Sequence, residues 1–325
     1  MRQLNYRQAL GEAISEVLAE DPRIVIFGAG FGGAFSDAQR FADRIKHPPI
    51  AELGYCGIAT GAAMVGLRPI VDVSTGTFSY EAIPQIVNEA AIAHSNSAGQ
   101  VSVPVIFHML YGLRGQGGVQ HSGSPQAWYW NTPGLQVAMP GSPADAKGLM
   151  RWAALRSRNP TVFLGHHQLG EVQGPVPDGA FEIPFGEAEV KRPGTDVTIV
   201  ACGVQVPRAL EAAQLLADEH GVDAEVLDPR TLQPLDRAAI LASVGKTGRV
   251  VVTDESHDDC GVASGLAAII ADEAFDALKA PVKRVSTMPV PVPYARPLEV
   301  FVTPRPDRIV EAVRQVIAHR QPMHA

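Results

Sequence analysis

Arg23-Ile24-Val25-Ile26-Phe27-Gly28 decides how the rest of the chain is read: apolar residues follow one another from Ile24 to Phe27 with no polar alternate, then meet a glycine. A strand apolar on both faces is covered on both faces, which is the condition of a parallel sheet flanked by helices. Working outward, the same pattern returns in Pro69-Ile70-Val71-Asp72-Val73, Val103-Pro104-Val105-Ile106-Phe107 and Thr161-Val162-Phe163-Leu164. Upstream, Asn5 and Gln8 have the spacing of a capping box, and Leu10, Ile14, Val17 and Leu18 share one helical face before Asp21-Pro22 ends the pattern. Helical spacing also marks residues 82–94 and 142–156, the second opened by Ser142 as cap and Pro143 as first helical residue.

Residues 171–193 are rich in proline and glycine and lack periodicity, so they read as a crossing linker. Beyond them the alternation resumes, with strands expected at 196–202, 224–227, 249–253 and 282–285 and helices at 206–219, 236–244, 262–278 and 306–318. The fold class is therefore α/β, two consecutive open α/β domains, divided into residues 1–188 and 189–325.

Composition narrows the function. The chain has 325 residues, 46% hydrophobic and 19% charged, which suits a large core and excludes disorder. Lysine plus arginine number 27 against 34 acids, a net charge of -7 with no block of like charge, so no nucleic acid or anionic membrane is expected as partner. The longest weakly polar stretch, residues 57–71, is broken by Arg68 and falls short of a membrane span. Near the N-terminus Glu12, Glu16 and Glu20 recur on a helical period where a signal or transit peptide avoids acids, and a cytoplasmic location is expected. Cys56, Cys202 and Cys260 are widely spaced, predicting neither zinc nor disulfides; each reads as a small buried hydrophobe.

Several motifs compete for the chemistry. Gly28-Ala29-Gly30-Phe31-Gly32-Gly33 follows a strand and has Glu52 about twenty residues downstream, the spacing of a dinucleotide fingerprint. A lone glycine fingerprint is weak, and this strand follows a full amphipathic helix instead of opening the domain, so the segment reads as a strand-to-helix loop. Gly245-Lys246-Thr247 resembles the end of a phosphate-binding loop, but Ile240 stands where its first glycine belongs; it reads as a helix-to-strand turn. His166-His167 are adjacent on an extended segment, point to opposite faces and have no carboxylate spacing to complete a metal site. Arg230, just after a strand, is placed either to meet a phosphate or carboxylate or to brace a subunit contact.

The strongest local signal is Glu52-Leu53-Gly54-Tyr55-Cys56-Gly57 running into Gly61-Ala62-Ala63, a carboxylate at the mouth of a small-residue helix. His121 lies among the glycines of Gly117-Gly118-Val119-Gln120-His121-Ser122-Gly123, with Trp128, Tyr129 and Trp130 just beyond, accessible for acid-base work.

These residues, with Tyr6-Arg7-Gln8-Ala9-Leu10, Ile50-Ala51-Glu52-Leu53-Gly54-Tyr55, Gly61 to Pro69, Gln85-Ile86-Val87-Asn88-Glu89-Ala90-Ala91, Gln120-His121-Ser122, Asp228-Pro229-Arg230-Thr231-Leu232-Gln233-Pro234-Leu235-Asp236 and Val290-Pro291-Val292-Pro293-Tyr294-Ala295, resemble a known family. The chain is similar, over nearly its whole length, to the beta subunits of the thiamine-diphosphate-dependent 2-oxo acid dehydrogenases of the pyruvate, branched-chain and acetoin complexes. The resemblance implies a pyrimidine-binding, transketolase-like domain followed by a transketolase C-terminal-like domain. It implies that Glu52 faces the aminopyrimidine of thiamine diphosphate and helps activate it, with Gly54 and Tyr55 among the cofactor-binding residues, and that Phe78 stacks on the ring. His121 is implied at the mouth, assisting proton transfer as the acyl unit moves to lipoamide. No Gly-Asp-Gly followed by asparagine is present. The family places that element, with Mg2+ and the diphosphate, on a separate alpha subunit in an α2β2 heterotetramer, with a lipoyl-bearing acyltransferase as second protein partner.

Two departures stand out. Relatives often carry an acidic pair where this chain has Ala29-Gly30, and an aspartate for a structural potassium where it has Ser157, so that ion is not expected. The expected function is decarboxylation of a 2-oxo acid, pyruvate first, in an enzyme active only with its alpha subunit. Acetoin cleavage is the near rival; an NAD-dependent oxidoreductase and a non-catalytic assembly subunit are the rivals of other classes.

Overall fold

A computed structural model describes residues 1–28 and 38–319. β1 (Arg2–Asn5) leads into α1 (Tyr6–Glu20), whose start is the expected capping box: the Asn5 side chain accepts from the Gln8 N–H at 2.7 Å and the Gln8 side chain accepts from the Asn5 N–H at 2.9 Å. Leu10, Ile14, Val17 and Leu18 are buried as their spacing requires. The chain continues through β2 (Ile24–Gly28), β3 (Ile45–Lys46), α2 (Glu52–Met64), β4 (Arg68–Thr75), α3 (Ala93–Asn96), β5 (Ile106–Tyr111), α4 (Gln126–Trp130), β6 (Gln136–Ala138), α5 (Pro143–Leu155), β7 (Thr161–His166) and β8 (Gln173–Val176). The second half runs β9 (Glu189–Arg192), β10 (Val197–Ala201), α6 (Gln205–His220), β11 (Ala224–Asp228), β12 (Thr231–Gln233), α7 (Arg237–Thr247), β13 (Val250–His257), α8 (Val262–Glu273), β14 (Lys283–Thr287), α9 (Arg296–Val302) and α10 (Pro306–Ala318).

Among the described residues two main sheets result. The first has seven strands in the order β12-β6-β7-β5-β4-β2-β3, parallel except for β12; the second has five in the order β14-β13-β10-β11-β9, parallel except for β9. β1 and β8 form a separate antiparallel pair. One apolar core runs between the halves, joining Val71 and Phe107 to Val200, Val252 and Leu266.

α1 lies against α5, and the acids Glu12, Glu16 and Glu20 serve that contact. Lys147, fully buried, donates to Glu16 at 2.7 Å and Glu12 at 3.1 Å; Arg151 one turn on donates to Glu16 at 3.0 Å and Glu20 at 2.7 Å. Matching i, i+4 spacing on the two helices makes a ladder in which each buried cation meets two acids, so the loss of any one acid leaves no buried charge unpaired.

Three expectations need correction, and one strand crosses between the halves. The strand expected at 103–107 begins only at Ile106, because Pro104 has no N–H to give a ladder. The helix expected at 82–94 is a 3-10 segment, Gly76–Ala82, then a π-helix, Pro84–Ala91, then α3. The supposed linker contains β8 and β9, each completing a sheet. β12, from the second half of the sequence, extends the first sheet by pairing with β6, so the two sheets are not cleanly divided along the chain.

Candidate active site

In open parallel sheets the carboxyl ends of the strands gather functional loops. Here β3, β2, β4 and β5 are consecutive neighbours in the first sheet. α2, with Glu52 as its first residue, follows β3; the Gly76–Ala82 segment, with Phe78, follows β4; the 112–123 loop, with His121, follows β5. β2 ends at Gly28, where φ is +120° and a Cβ would sit 2.3 Å from the Asp72 carbonyl oxygen, so only glycine fits. The rest of the glycine motif, Ala29 to Gly33, lies outside the described residues.

Glu52 is half-buried at the N-terminus of α2, where a carboxylate is favoured by the exposed N–H groups and helix dipole. Tyr55 and Cys56 turn into the core on the next face. Burial, and then the charge of Glu52, raises the Tyr55 hydroxyl and pushes the Cys56 thiol up to about 12, so neither ionises near neutral pH. Gly54 is exposed, with nothing nearer its missing Cβ than Ala51 at 3.8 Å. α2 packs on the Gly76–Ala82 segment and on the π-helix, and Gly57 allows the latter approach: a Cβ there would lie 2.9 Å from Gln85 Oε1.

Phe78 and His121 are brought together directly. Their ring centroids are 5.2 Å apart, edge to face at 78°, and both side chains are half-buried. The Thr77 hydroxyl donates to the Gln120 carbonyl, tying the two loops one residue away from those rings. From beneath, Tyr129 donates to the Ser79 hydroxyl at 2.6 Å, and Tyr80 stacks on Trp128 at 4.8 Å.

The remaining candidates resolve differently. Arg230 is engaged within the chain: its Nε donates to Asp145 at 2.7 Å and its guanidinium also pairs with Glu189, bracing the two halves of the same chain. His166 is fully buried, its Nδ1 accepting from the Gln168 N–H at 3.0 Å and its Nε2 donating to Glu255 at 2.9 Å. His167 is held neutral, its pKa lowered to about 3 by burial and by its neighbours His166 and Arg114. Among the described residues no group of three or more His, Cys, Asp and Glu is arranged to hold a metal. Gly245-Lys246-Thr247 is the last turn of α7, and the left-handed glycine that ends it is Gly248. Cys56 and Cys202 are buried, but Cys260 is exposed in a tight turn at φ +55°, against the expectation of a buried hydrophobe.

Sequence reading missed Glu255 and Glu299, two buried acids of the second half that accept hydrogen bonds from the His121 loop. No local pattern marks them, because their partners lie 142 and 183 residues away.

Comparison with known proteins bears on the fold and the family. Residues 2–172 match the transketolase pyrimidine-binding domain and residues 186–309 the transketolase C-terminal domain. A split-gene transketolase, solved as an inactive β4 tetramer, superposes with a TM-score of 0.83 at 26% identity, covering 98% of this chain and 100% of that one. The chain is therefore a two-domain transketolase-like protein. At the level of sequence, the chain is 40% identical to the mitochondrial pyruvate dehydrogenase E1 component subunit beta-2 of Oryza sativa subsp. japonica, over 100% of its own length and 89% of the relative's. It is 40% identical to the pyruvate dehydrogenase E1 component subunit beta of Rickettsia conorii and 38% identical to the acetoin:2,6-dichlorophenolindophenol oxidoreductase subunit beta of Cupriavidus necator, each over 97% of this chain and 98% of the relative. The chain belongs to the family of thiamine-diphosphate-dependent 2-oxo acid dehydrogenase beta subunits.

Proposed function

We propose that this chain is the beta half of a 2-oxo acid dehydrogenase, with pyruvate as substrate, and that it works in the cytoplasm as part of an α2β2 heterotetramer that passes its acyl group to a lipoyl-bearing acyltransferase. The observation that carries the reading is the contact of the Phe78 ring with the His121 imidazole, on segments that follow β4 and β5, with α2, which opens on the half-buried Glu52, packed against the Phe78 segment. We place the domain boundary between residues 188 and 189. Among the described residues no helix is long and apolar enough to cross a membrane.

The residues present fit the pyrimidine end of thiamine diphosphate. Glu52 would hold a proton against a ring nitrogen, Phe78 would offer its face, the exposed Gly54 leaves the backbone open to close approach, and Tyr55 props α2 from the core. When bound, the cofactor supplies the carbon nucleophile and electron sink that decarboxylation requires. His121, beside Phe78, would hold or give a proton at the mouth. The chain lacks the Gly-Asp-Gly element followed by asparagine, so we assign Mg2+ and the diphosphate to the alpha subunit.

Glu52→Gln tests the reading in the assembled enzyme. Turnover should fall by at least about a hundredfold, the scale of losing a positioned acid-base group, with folding and assembly intact. Unchanged turnover would instead fit an assembly subunit. The acetoin-cleaving reading draws on the 38% identical Cupriavidus necator relative. Turnover of acetoin without turnover of pyruvate would decide for it.

A further inference from the structure

The loop carrying His121 does not hold itself. Between residues 112 and 118 it has four backbone positions at positive φ, Gly112 at 76°, Gly115 at 81°, Gln116 at 59° and Gly118 at 69°, and Gln116 has a Cβ to accommodate there. Its neck is closed by the Gly112 N–H donating to the Gly123 carbonyl at 2.9 Å. At its far end Thr77, from the same half, holds the Gln120 carbonyl, and two further backbone anchors come from the opposite half of the chain. The Leu113 N–H donates to Glu255 Oε1 at 2.8 Å, and the Gln116 N–H donates to both carboxylate oxygens of Glu299, each at 3.1 Å. Glu255, on β13, and Glu299, on α9, are each 2% exposed. Glu255 is fixed in turn by the His166 Nε2 at 2.9 Å and Arg208 at 3.0 Å. Burial alone would raise its carboxyl, yet His166, Arg208 and the Leu113 amide together hold it at about 2.

We propose that Glu255 and Glu299 are positioning residues: through the Leu113 and Gln116 amides they set the register of the 112–123 loop and hence the place of the His121 imidazole. A carboxylate grips a backbone N–H about twice as strongly as a neutral acceptor and leaves the loop's side chains free. The C-terminal half thereby orders a group at the mouth of a site built on the N-terminal sheet. This rests on the acid-base assignment of His121.

Glu299 gives the cleaner test, because Glu255 also closes a buried ionic cluster. In the assembled α/β enzyme two rates are compared, acyl transfer to lipoamide and reduction of an artificial dye acceptor that bypasses the lipoyl group. Glu299→Ala should lower the ratio of the first to the second about tenfold, below the roughly hundredfold cost of a badly misplaced group. Glu299→Gln, which keeps an oxygen for the Gln116 N–H, should recover most of the ratio. In a His121→Ala background Glu299→Ala should change the ratio no further, since the two would act through one group. If Glu299→Ala does not assemble, Glu299→Asp, with its carboxylate drawn back by one methylene, should lower the same ratio. A selective effect of His121→Ala with no effect of the Glu299 variants would overturn the proposal while leaving His121 in place. No selective effect of His121→Ala would overturn the assignment of His121 itself, and the proposal with it.

Discussion

Glu255 and Asp228 are both fully buried carboxylates on strands that flank β10, and both face the other half of the chain, yet their protons are held in opposite senses. Glu255 takes hydrogen bonds from His166, Arg208 and Leu113, shares them with no other acid among the described residues, and sits at about 2. Asp228 is raised to about 7, first by burial and then by Asp145, because Asp145, Glu189 and Asp228 divide the two cations Lys191 and Arg230 among them. The Arg230 N–H donates to Asp228 at 2.8 Å, but Lys191 stays 3.9 Å away. Equal burial thus gives opposite outcomes, and the count of donors per acid decides which. The well-supplied acid grips the loop of the candidate site, and the under-supplied one lies where β11 turns into β12.

The largest break in this comparison should come from Gly112, which abuts the first cluster. A Cβ there would fall 2.2 Å from His166 Nε2 and 2.3 Å from Glu255 Oε1, at a φ of +76°. Gly112→Ala should destabilise by about 3 kcal/mol or more, the scale of disrupting a buried ion pair. Gly179, at φ +74° but with nothing within 4 Å of its missing Cβ, isolates the backbone part; Gly179→Ala should cost only about 1–2 kcal/mol. Equal melting temperatures for the two variants would show that the Glu255 cluster is not tightly packed.

A smaller effect, with a sign, sharpens the contrast. Glu255 is lowered from 4.5, so its contribution is present at neutral pH and is lost as pH falls from about 4.5 through about 2. Asp228 is raised from 3.8, so its contribution is full below about 3.8 and is lost as pH rises through about 7. Asp228→Asn, whose amide oxygen still accepts from the Arg230 N–H, removes that second dependence. Denaturant unfolding should show the variant gaining on the wild type from pH 5 to pH 8, by up to about 1.4 kcal/mol per pH unit across the window where Asp228 titrates. A stability difference flat with pH would mean that Asp228 is already ionised at pH 5.

Much of this was legible in the sequence, and the parts that were not share a cause. Apolar runs such as Ile24 to Phe27 and the Asn5–Gln8 cap carry their structure locally, and the chain forms them as expected. Glu52 and His121 were visible because a carboxylate before a small-residue helix and a histidine among glycines break the surrounding pattern. β6 and β12 are three residues each and are defined by pairing with one another and with β7, which no local pattern encodes. The π-helix at Pro84–Ala91 has apolar spacing close enough to 3.6 to read as an ordinary helix. The intrachain partners of Arg230 are not legible in the sequence, because the acids that bind it, Asp145 and Glu189, are 85 and 41 residues away. The anchors of the His121 loop were hidden for the same reason.

The most direct test of the central claim, that this chain contributes the pyrimidine half of a shared thiamine-diphosphate site, is the native mass and bound cofactor of the protein purified from its own source. The expected result is a heterotetramer with a second chain and thiamine diphosphate in stoichiometric amount. A homo-oligomer of this chain alone, free of thiamine diphosphate and binding NADH, would contradict it.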